Sequence, residues 1–378
     1  MNNKTDALLI TGANGFVGKN LCAQLQNEGY ENLLKADVDT TDAELAAYCA
    51  KAKFVFHLAG VNRPKDATEF YAGNLGYTDS VLQHLRSAGG KTPVLLTSSA
   101  QAELDNDYGK SKKSAEDAVF KYEQETGTQC FIFRMPGVFG KWCRPNYNSV
   151  VATFCHNVAH GLPIEVRSRE YALPLVYIDD VVHTFITAMQ TGEVACTRSL
   201  PAYCLIHPVH ETTLGFLADT IASFKESRTD LSVADMGDAL TRKLYATYLS
   251  YLPRDAFAYA LQSHCDNRGS FTEFLRTEDR GQVSINVSRP GIVKGNHWHN
   301  TKNEKFLVVK GTGVIRFRKI DEEKIITYRV NGSELTVVDI PTGYTHNIEN
   351  TGTDDMVTVM WASEPFDPAH PDTYFMEG

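Results

Sequence analysis

Short apolar runs alternate with helical patterns over the first half of the chain. Strand-length apolar runs occupy residues 7–11, 33–36, 54–60, 93–99 and 128–134. Between them, apolar positions repeat at a helical period up to about Gln26, over 67–88, and from 106 to a helix stop at Gly127. This alternation predicts a Rossmann-type doubly wound α/β domain, in which helices cover both faces of a parallel sheet.

The pattern changes in the last third of the chain. Short segments with strand character then recur along the chain, at 283–289, 306–310, 314–320, 325–330, 335–340 and 356–361. We expect hairpin turns at Gly311 and at Asn331-Gly332, and an irregular tail from Asp367 onward. Two helices are predicted between 213 and 247, followed by an aromatic junction. The chain therefore divides into an α/β domain, 1–248, and an all-β jelly-roll domain, 256–378.

Charge and cysteine usage narrow the classes of partner. The 378 residues carry a net charge of −9 and no basic run, which argues against nucleic acid and anionic membranes as partners. The eight cysteines are scattered and form no Cys-x-x-Cys pair, so we expect reduced thiols and a cytoplasmic protein. The first apolar run is too short for a signal peptide or a membrane span.

A glycine-rich segment follows the first predicted strand. Gly12, Gly15 and Gly18 are three residues apart, with a strand before them and a helix after them. This arrangement lets the backbone approach a pyrophosphate at the helix N-terminus. Asp37 ends the next strand, where a carboxylate can accept hydrogen bonds from ribose hydroxyls and would repel a 2′-phosphate. An ordinary loop acid remains an equal alternative for Asp37.

A tyrosine and a lysine share one face of a later helix. Tyr108 and Lys112 are four residues apart, and Ser99 ends the fourth predicted strand. A phenol with a pKa of about 10 is a poor proton donor at neutral pH unless a nearby cation lowers that pKa. Lys112 would supply the cation, and Ser99 would orient a substrate carbonyl. In the alternative interpretation, Tyr108 is a packed aromatic residue and Lys112 a solvated charge.

Two further stretches of this half are ambiguous. The polar, basic residues 141–149 could hold a diphosphate and a base, or form an ordinary loop. Asp179 and Asp180 precede a predicted helix, and we assign them to N-capping in preference to catalysis.

The first half resembles the extended short-chain dehydrogenase/reductase family. The matching pieces are Thr11-Gly12-x-x-Gly15-x-x-Gly18, His57-Leu-Ala-Gly60, Ser99, Tyr108-x-x-x-Lys112 and Arg134-Met-Pro-Gly-Val-Phe-Gly140. The resemblance implies hydride transfer with NADPH or NADH, and Ser99, Tyr108 and Lys112 as catalytic residues. It implies cofactor contacts from Gly12, Asn14, Gly15, Phe16, Val17, Gly18, Asp37, Leu58, Ala59, Gly60, Tyr108 and Lys112. Because Ala100-Gln101 replaces the acid that dehydratases carry after the serine, we favour carbonyl reduction over dehydration.

The second half carries a pattern of metal ligands. His297 and His299 are two apart, so on a strand both imidazoles lie on one face. A turn-like segment leads to Glu304, and His346 follows a second turn. Three neutral imidazoles and one carboxylate suit a divalent transition ion such as zinc, nickel, iron or manganese. The resulting charge of about +1 favours a ligand oxygen that gains negative charge. The alternative is a degenerate barrel in which these are ordinary polar residues.

This stretch resembles the cupin family in both of its signatures, through Gly291, His297, His299, Glu304, Gly311, Pro341, Gly343, His346 and Asn350. The two modules in this order resemble the bifunctional reductase–epimerases of capsular polysaccharide synthesis. That resemblance implies Zn²⁺, a homodimer and a UDP-linked 4-keto-6-deoxy amino sugar. The implied substrate is UDP-2-acetamido-2,6-dideoxy-hexos-4-ulose. It would be epimerised at carbon 3 and reduced at carbon 4 to UDP-2-acetamido-2,6-dideoxy-L-talose, on the way to UDP-N-acetyl-L-fucosamine.

Other functions remain open at this stage. One is a nucleotide-binding sensor with a structural cupin, and another is a metal-dependent sugar isomerase or lyase. The group that moves the proton in an epimerisation is not identified by the sequence; Lys294 and Tyr344 lie near the predicted ligands.

Overall fold

The computed structural model describes residues 3–64, 66, 68–277 and 279–377. It divides into two compact units, one made of Met1–Ile221 and Ala239–Leu252 and the other of Ala222–Asp238 and Pro253–Gly378. The predicted boundary between 248 and 256 stays a prediction. The division differs from it over 222–238, because this segment bonds to the β-rich part: Arg276 N–H donates to the Leu231 carbonyl at 2.8 Å, and Val233 N–H donates to the Arg276 carbonyl at 3.0 Å.

A parallel sheet forms the centre of the first unit. Its strands are β1 (Leu8–Thr11), β2 (Leu33–Ala36), β3 (Phe54–His57), β4 (Val94–Ser99) and β5 (Cys130–Met135). Their order is β2-β1-β3-β4-β5. Every residue of β1 and β3 is buried, as expected for strands covered on both faces. The order reverses between β1 and β3, so the loops after these two strands diverge and leave a crevice.

Helices alternate with these strands and continue after them along the chain. They are α1 (Phe16–Asn27), α2 (Asp42–Lys51), α3 (Thr68–Phe70), which continues through a π-helical turn (Tyr71–Gly76) into α4 (Tyr77–Ser87), then α5 (Asp107–Thr126), α6 (Val150–Ala159), α7 (Ile178–Thr191), α8 (Leu214–Asp230) and α9 (Ala239–Leu249). Leu8 and Ile10 pack with α1 and α7 on one face, and Leu9 packs with α2, α4 and α5 on the other. The doubly wound prediction is confirmed. The first residue of the helix predicted over 67–88 lies outside the described residues.

A small second sheet completes the strands of the first unit, with β6 (Gly137–Phe139) parallel to β7 (Ala172–Tyr177) and β7 antiparallel to β8 (His210–Thr213). The N-capping prediction for Asp179 and Asp180 is wrong. The N-cap position of α7 is Tyr177, so both acids lie inside the first turn. There Asp180 accepts a hydrogen bond from Lys243 at 2.7 Å and Asp179 accepts one from Lys141 at 2.5 Å.

Two antiparallel sheets form the second unit. Their strands are β9 (Ser263–Asp266), β10 (Gly269–Thr277), β11 (Gly281–Ser288), β12 (Val293–Trp298), β13 (Glu304–Lys310), β14 (Thr312–Lys319), β15 (Ile325–Asn331), β16 (Val337–Ile340), β17 (Tyr344–Asn350), β18 (Met356–Ala362) and β19 (Tyr374–Phe375). One sheet has the order β16-β13-β18-β11-β10-β9 and the other β15-β14-β17-β12-β19. Phe306 and Met356 from the first sheet pack with Ile315 and Ile348 from the second in one apolar core. The predicted jelly roll is confirmed.

Two local predictions for this unit are wrong. The turns at Gly311 and Asn331-Gly332 are not hairpin turns, because β13 and β14 lie in different sheets, as do β15 and β16. Each of these turns carries the chain from one sheet to the other. The tail is also not irregular throughout, since β19 pairs with β12 at Trp298 and Tyr374. Among the described residues, no helix has both the length and the apolar content that a membrane span requires.

Candidate active sites

The glycine loop lies in the crevice at the carboxyl end of β1. Helix α1 begins at Phe16, directly after Gly15. A Cβ atom on Gly18 would lie 2.2 Å from the Gly12 carbonyl oxygen, so only glycine permits α1 to pack this closely on the loop. The helix N-terminus and the loop amides therefore stand together, as pyrophosphate binding requires.

Asp37 is tied to this loop. Its carboxylate accepts a hydrogen bond from the Asn14 N–H at 2.7 Å and another from the Val38 N–H at 2.9 Å. The negative charge is therefore fixed beside the segment that would hold the dinucleotide. The structure gives Asp37 this positioning role, and the ribose contact stays a prediction.

The loop after β3 is held by a buried hydrogen-bond chain through His57. Thr78 donates its hydroxyl proton to the Asn74 carbonyl at 2.6 Å, so it must accept from His57 Nε2, 2.8 Å away. His57 Nδ1 then accepts from the Thr11 hydroxyl at 2.8 Å. Burial lowers the pKa of His57 to about 3, which keeps the ring neutral. The Thr11 hydroxyl also accepts from the Ala59 N–H at 3.2 Å, so the predicted cofactor contacts 58–60 adjoin the glycine loop.

Helix α5 carries Tyr108 and Lys112. Asn106 caps this helix by accepting a hydrogen bond from the Gly109 N–H at 2.8 Å, which sets the position of Tyr108 in the first turn. The Lys112 ammonium donates to the Thr97 carbonyl at 2.8 Å, and burial lowers the pKa of Lys112 to about 8. Strand β4 and helix α5 thus bring the three predicted catalytic residues to one place.

Two opposing influences act on the pKa of Tyr108 in the structure. Burial raises the pKa of Tyr108, while a hydrogen bond with Ser99 acts to lower it. The Lys112 ammonium is held by the Thr97 carbonyl on β4, and its effect on the phenol stays a prediction. The hydrogen bond with Ser99 favours the phenolate.

One buried carboxylate anchors α5 to the sheet. Glu116 accepts hydrogen bonds from Arg134 at 2.7 and 2.9 Å and from the Ser98 hydroxyl at 2.5 Å. Glu116 is fully buried and lies one turn after Lys112. The pair with Arg134 on β5 therefore helps to fix the rotation of the helix that presents Tyr108.

A polar cavity of about 340 Å³ opens beside Tyr108. Amide side chains dominate its wall, which is lined by Asn62, Phe70, Gln101, Asn106, Asp107, Tyr108 and Asn148. Asn148 comes from the polar stretch 141–149, whereas Lys141 pairs with Asp179. Asn62 and Gln101 were not predicted, because a single amide has no spacing that marks it in a sequence.

Three strands assemble the predicted metal ligands. One ligand atom from each of His297, His299, Glu304 and His346 lies within 4.8 Å of the other three. Glu304 Oε2 is 3.5 Å from His299 Nε2 and 3.4 Å from His346 Nε2. Two ligands held about 2.1 Å from a tetrahedral zinc ion are about 3.4 Å apart, so the spacing suits such an ion.

Polar atoms of this cluster lack other partners. Among the described residues, His299 Nε2, His346 Nε2 and Glu304 Oε2 are buried and form no hydrogen bond. Buried polar atoms of this kind are rare in native proteins and call for an explanation such as an ion. His299 Nδ1 donates to the Asp372 carbonyl at 2.6 Å, which leaves the Nε2 lone pair free for a metal.

The protonation states also suit ligation. Burial, together with the imidazoles of His346 and His299, lowers the pKa of His297 to about 4. Burial opposes ionisation of Glu304, but the adjacent His299 and His346 hold its pKa well below the usual range. Neutral imidazole and ionised carboxylate are the forms that bind metal, so the residues present fit a divalent cation.

Three of the four predicted metal ligands line an open cavity of about 310 Å³. His297, Glu304 and His346 form one part of its wall, and Lys294 forms another. Tyr344, the other candidate for proton transfer, is not among the described residues that line this cavity.

Residues 372–376, which we term the C-terminal strap, hold the segment between β12 and β13. The Asp372 carboxylate accepts hydrogen bonds from three consecutive N–H groups, those of residues 300, 301 and 302, at 3.0, 2.9 and 3.0 Å. Tyr374 stacks on Trp298 with 4.9 Å between ring centroids. Met376 N–H donates to the Asn296 carbonyl at 3.0 Å. This role was not predicted from the sequence, because the partners of the strap lie about 70 residues away in the chain.

Comparisons with known proteins identify the family of this chain. Residues 8–197 match the NAD dependent epimerase/dehydratase family, and residues 264–374 match the Polysaccharide biosynthesis C-terminal domain. The chain is 45% identical to the UDP-2-acetamido-2,6-beta-L-arabino-hexul-4-ose reductase of Pseudomonas aeruginosa over 97% of each protein. It superposes on the crystal structure of the capsular polysaccharide assembling protein CapF from Staphylococcus aureus with a TM-score of 0.92 and 49% identity, covering 98% of this chain and 100% of that one.

A more distant structure shares the fold alone. The UDP-glucose 4-epimerase of Thermotoga maritima has 17% identity and a TM-score of 0.53, over 65% of this chain and 98% of its own. The family match and the closely similar relatives define a nicotinamide-dependent enzyme of the oxidoreductase and epimerase class. The chain belongs to the NAD dependent epimerase/dehydratase family and, over nearly its full length, to the CapF-type reductase–epimerases.

Proposed function

We propose that this enzyme acts twice on one ketone, that of UDP-2-acetamido-2,6-dideoxy-hexos-4-ulose. The second unit epimerises carbon 3, and the first unit then reduces carbon 4 to give UDP-2-acetamido-2,6-dideoxy-L-talose for UDP-N-acetyl-L-fucosamine and capsular polysaccharide. The name of the Pseudomonas relative, a UDP-2-acetamido-2,6-beta-L-arabino-hexul-4-ose reductase, supports this substrate class.

The observation that carries the proposal is the presence of both sites in one chain. A phenol with its serine partner lies in the first unit, and a cluster of three imidazoles and a carboxylate lies in the second. A ketone at carbon 4 makes the hydrogen on carbon 3 acidic and is itself reducible. Epimerisation needs the ketone, so it comes before reduction.

In the first unit, the chain's own groups would manage the proton. When bound, the nicotinamide supplies the hydride. Tyr108 donates its phenolic proton to the carbonyl oxygen as the alcohol forms, and Ser99 orients that oxygen. Lys112 lies one helical turn further and would contact the nicotinamide ribose. The amide-lined cavity beside Tyr108 offers donors and acceptors for the acetamido and hydroxyl groups of the sugar.

Two arginines favour the binding of a nucleoside diphosphate near this cavity. The guanidinium groups of Arg63 and Arg144 lie 5.7 and 5.2 Å from the centre of the Tyr147 ring. Arginine binds phosphate well because its planar fork presents several N–H donors at once. Tyr147 and Asn148 both come from the stretch 141–149 for which diphosphate binding was predicted.

In the second unit, His297, His299, Glu304 and His346 would hold Zn²⁺ or another divalent transition metal. When bound, the ion supplies positive charge that favours a negative ligand oxygen. The His299 ring is oriented by the Asp372 carbonyl, and Glu304 balances part of the metal charge. The chain itself must provide the group that takes the proton.

The proposal includes the remaining features implied by the resemblance. The cofactor is NADPH or NADH, and the fixed charge of Asp37 favours NADH. The enzyme is a cytoplasmic homodimer. All eight cysteines, each within the described residues, are free thiols, which suits a reducing compartment.

Deuterium exchange separates the two steps. The zinc-loaded enzyme is incubated with the keto sugar in D₂O, first without and then with reduced nicotinamide, and mass spectrometry follows carbon 3. We expect a gain of one mass unit before any redox step. Tyr108→Phe should lower nicotinamide oxidation about 10²–10⁴-fold, the usual size of general-acid catalysis, and retain the exchange. His297→Ala should lose the exchange and retain nicotinamide binding.

Tyr171→Phe is the matched control, because Tyr171 is an exposed tyrosine of the same unit and lines neither cavity. It should leave both activities unchanged. Loss of exchange together with oxidation in Tyr108→Phe would contradict two separate sites.

A further inference from the structure

We propose that Lys294 is the group that removes the carbon-3 proton at the metal site, an inference that rests on the epimerase function proposed above. The sequence offered Lys294 and Tyr344 without distinguishing them. Four observations on the described residues of the second unit favour Lys294.

The first observation is a β-bulge in β12. Lys294 and His297 are three residues apart, so a regular strand would place them on opposite faces. Here Lys294 pairs with Ile348 and His297 pairs with His346, with one extra residue between them. Because the partners on β17 are two apart, Lys294 and His297 lie on the same face.

The backbone of the bulge explains how it forms. Gly295 has φ 104° and Asn296 has φ 58°, both in the left-handed region that few side chains tolerate. A Cβ atom on Gly295 would lie 2.8 Å from the His346 carbonyl oxygen. The dipeptide Gly295-Asn296 therefore places Lys294 on the strand face that carries His297, and both residues line the cavity.

The second observation is the hydrogen bonding of the Lys294 amine. Nζ donates to Asn286 Oδ1 at 2.7 Å and to the Val287 carbonyl at 2.9 Å. A neutral amine has two N–H groups and one lone pair. Two fixed acceptors take both N–H groups and leave the lone pair as the free position, which is the arrangement a base needs.

The third observation is the electrostatic surroundings of Lys294. Burial lowers the pKa of Lys294; Asp266 raises it and Arg268 lowers it further. Asp266 is itself engaged by Arg268 at 2.6 Å, so its charge is shared. These groups lie on β9 and the turn after it, and both line the same cavity as Lys294.

The fourth observation concerns the competing groups in the cavity. His264 and Cys265 lie on the exposed edge strand β9, and Asp266 is paired with Arg268. Tyr344 is not among the described residues that line the cavity. Lys294 is the titratable group of the cavity wall that is both partly buried and held by neutral acceptors.

The step balances without an added reactant other than water. The carbon-3 to hydrogen bond breaks, its electron pair forms the double bond to carbon 4, and the carbonyl oxygen takes the negative charge. The proton moves to Nζ. Water in the open cavity then delivers a proton to the opposite face of carbon 3, the carbonyl re-forms, and Lys294 returns its proton to solvent.

The test compares Lys294→Arg and Lys294→Met in the zinc-loaded, full-length enzyme. Arginine keeps the positive charge but has a pKa above about 12 and cannot accept a proton. We expect both variants to lose carbon-3 deuterium exchange by at least about 10²-fold. Zinc content by atomic absorption should match the wild type. The affinity of Lys294→Arg for the UDP-keto sugar, measured by calorimetry, should stay within a few-fold.

Lys305→Met is the matched control. Lys305 lies on β13 next to a metal ligand, but its side chain is half exposed and pairs with Asp339. It should retain wild-type exchange. Full exchange in Lys294→Arg would overturn the proposal, because a cation alone would then suffice. Exchange that returns to the wild-type rate at saturating substrate would also overturn it and assign Lys294 to binding. Absence of exchange in the wild type would overturn the epimerase function itself.

Discussion

Burial sets the protonation state of two residues near the predicted reductase site. Lys112 and His57 both lie at the carboxyl end of the sheet, and neither is exposed. Burial lowers the pKa of His57 to about 3 and that of Lys112 to about 8. At neutral pH the histidine is therefore a neutral structural link, whereas the lysine is still charged. A modest rise in pH is enough to remove that charge.

This difference predicts a pH dependence of cofactor use. A lysine is charged below its pKa, so Lys112 loses its ammonium as the pH rises through about 8. If the ammonium holds the nicotinamide ribose, kcat/KM for the nicotinamide nucleotide should be flat below this pH and fall about tenfold per unit above it, because kcat/KM reports the free enzyme. Steady-state rates across the range measure this. A profile that stays flat through this pKa would contradict the role of Lys112.

Asp37 predicts the choice between the two nicotinamide nucleotides. Two unit charges 4 Å apart near a protein surface interact by about 4 kcal/mol, so a fixed carboxylate penalises a 2′-phosphate. We expect Asp37→Ser to raise the ratio of kcat/KM for NADPH to that for NADH by about tenfold or more, which is about 1.4 kcal/mol. Asp39→Ser, at an exposed acid two residues on, should leave the ratio unchanged. An unchanged ratio in Asp37→Ser would exclude this function of the carboxylate.

Single residues were predictable where a spacing carries geometry. His297, His299, Glu304 and His346 have the spacing that two strands and two turns bring together, and the structure does so. Asp372 has no such spacing relative to its partners. Its hydrogen bonds with residues 299–302 form only when the tail folds back onto that segment. The direction of the pKa shift of Tyr108 also depends on burial, which the sequence did not show.

Among the structural elements, the C-terminal strap bears most directly on the metal site. Its Asp372 carboxylate gathers three backbone N–H groups, and these hold the pKa of Asp372 well below its usual range although burial opposes this. Its carbonyl accepts from His299 Nδ1 at 2.6 Å. One residue of the strap thus fixes both the chain that follows His299 and the orientation of the ring.

Removal of the Asp372 carboxylate should weaken metal binding. Partners that orient metal ligands are typically worth about 10–100-fold in affinity, and we expect a loss of this size in Asp372→Ala. Competition with a chromogenic chelator measures it. Asp372→Asn keeps an acceptor oxygen and should lose less. Asp367→Ala removes a tail acid that pairs with His370 and should bind zinc as the wild type does. Unaltered zinc affinity in Asp372→Ala would show that the strap is not part of the site.

Elements with a clear period were predicted, and those without one were missed. Apolar runs such as Leu8–Thr11 and Met356–Ala362 appear in the structure within a residue or two. Strand β17 was missed because Thr345, His346 and Asn347 interrupt its apolar positions, although all three are buried. The turns at Gly311 and Asn331-Gly332 were recognised as turns, but their sequences do not say which sheet the next strand joins.

At the scale of the whole molecule, the order of strand and helix patterns was sufficient to predict two fold classes. The periods change from alternating strand and helix to strand after strand, and each unit has the corresponding sheets. What the sequence did not show is that the units are interleaved. Residues 222–238 belong with the second unit, and 239–252 return to the first.

This interleaving limits how the two units can be expressed as separate fragments. A fragment beginning at 256 would lack the segment whose Leu231 and Val233 backbone groups complete the ladder at Arg276. That edge would then be open to pairing with other chains, as unpaired strand edges are. A single cut either leaves 222–238 out of the second unit or carries 239–252 of the first unit along with it, whereas joining 222–238 directly to 253 gives the second unit by itself.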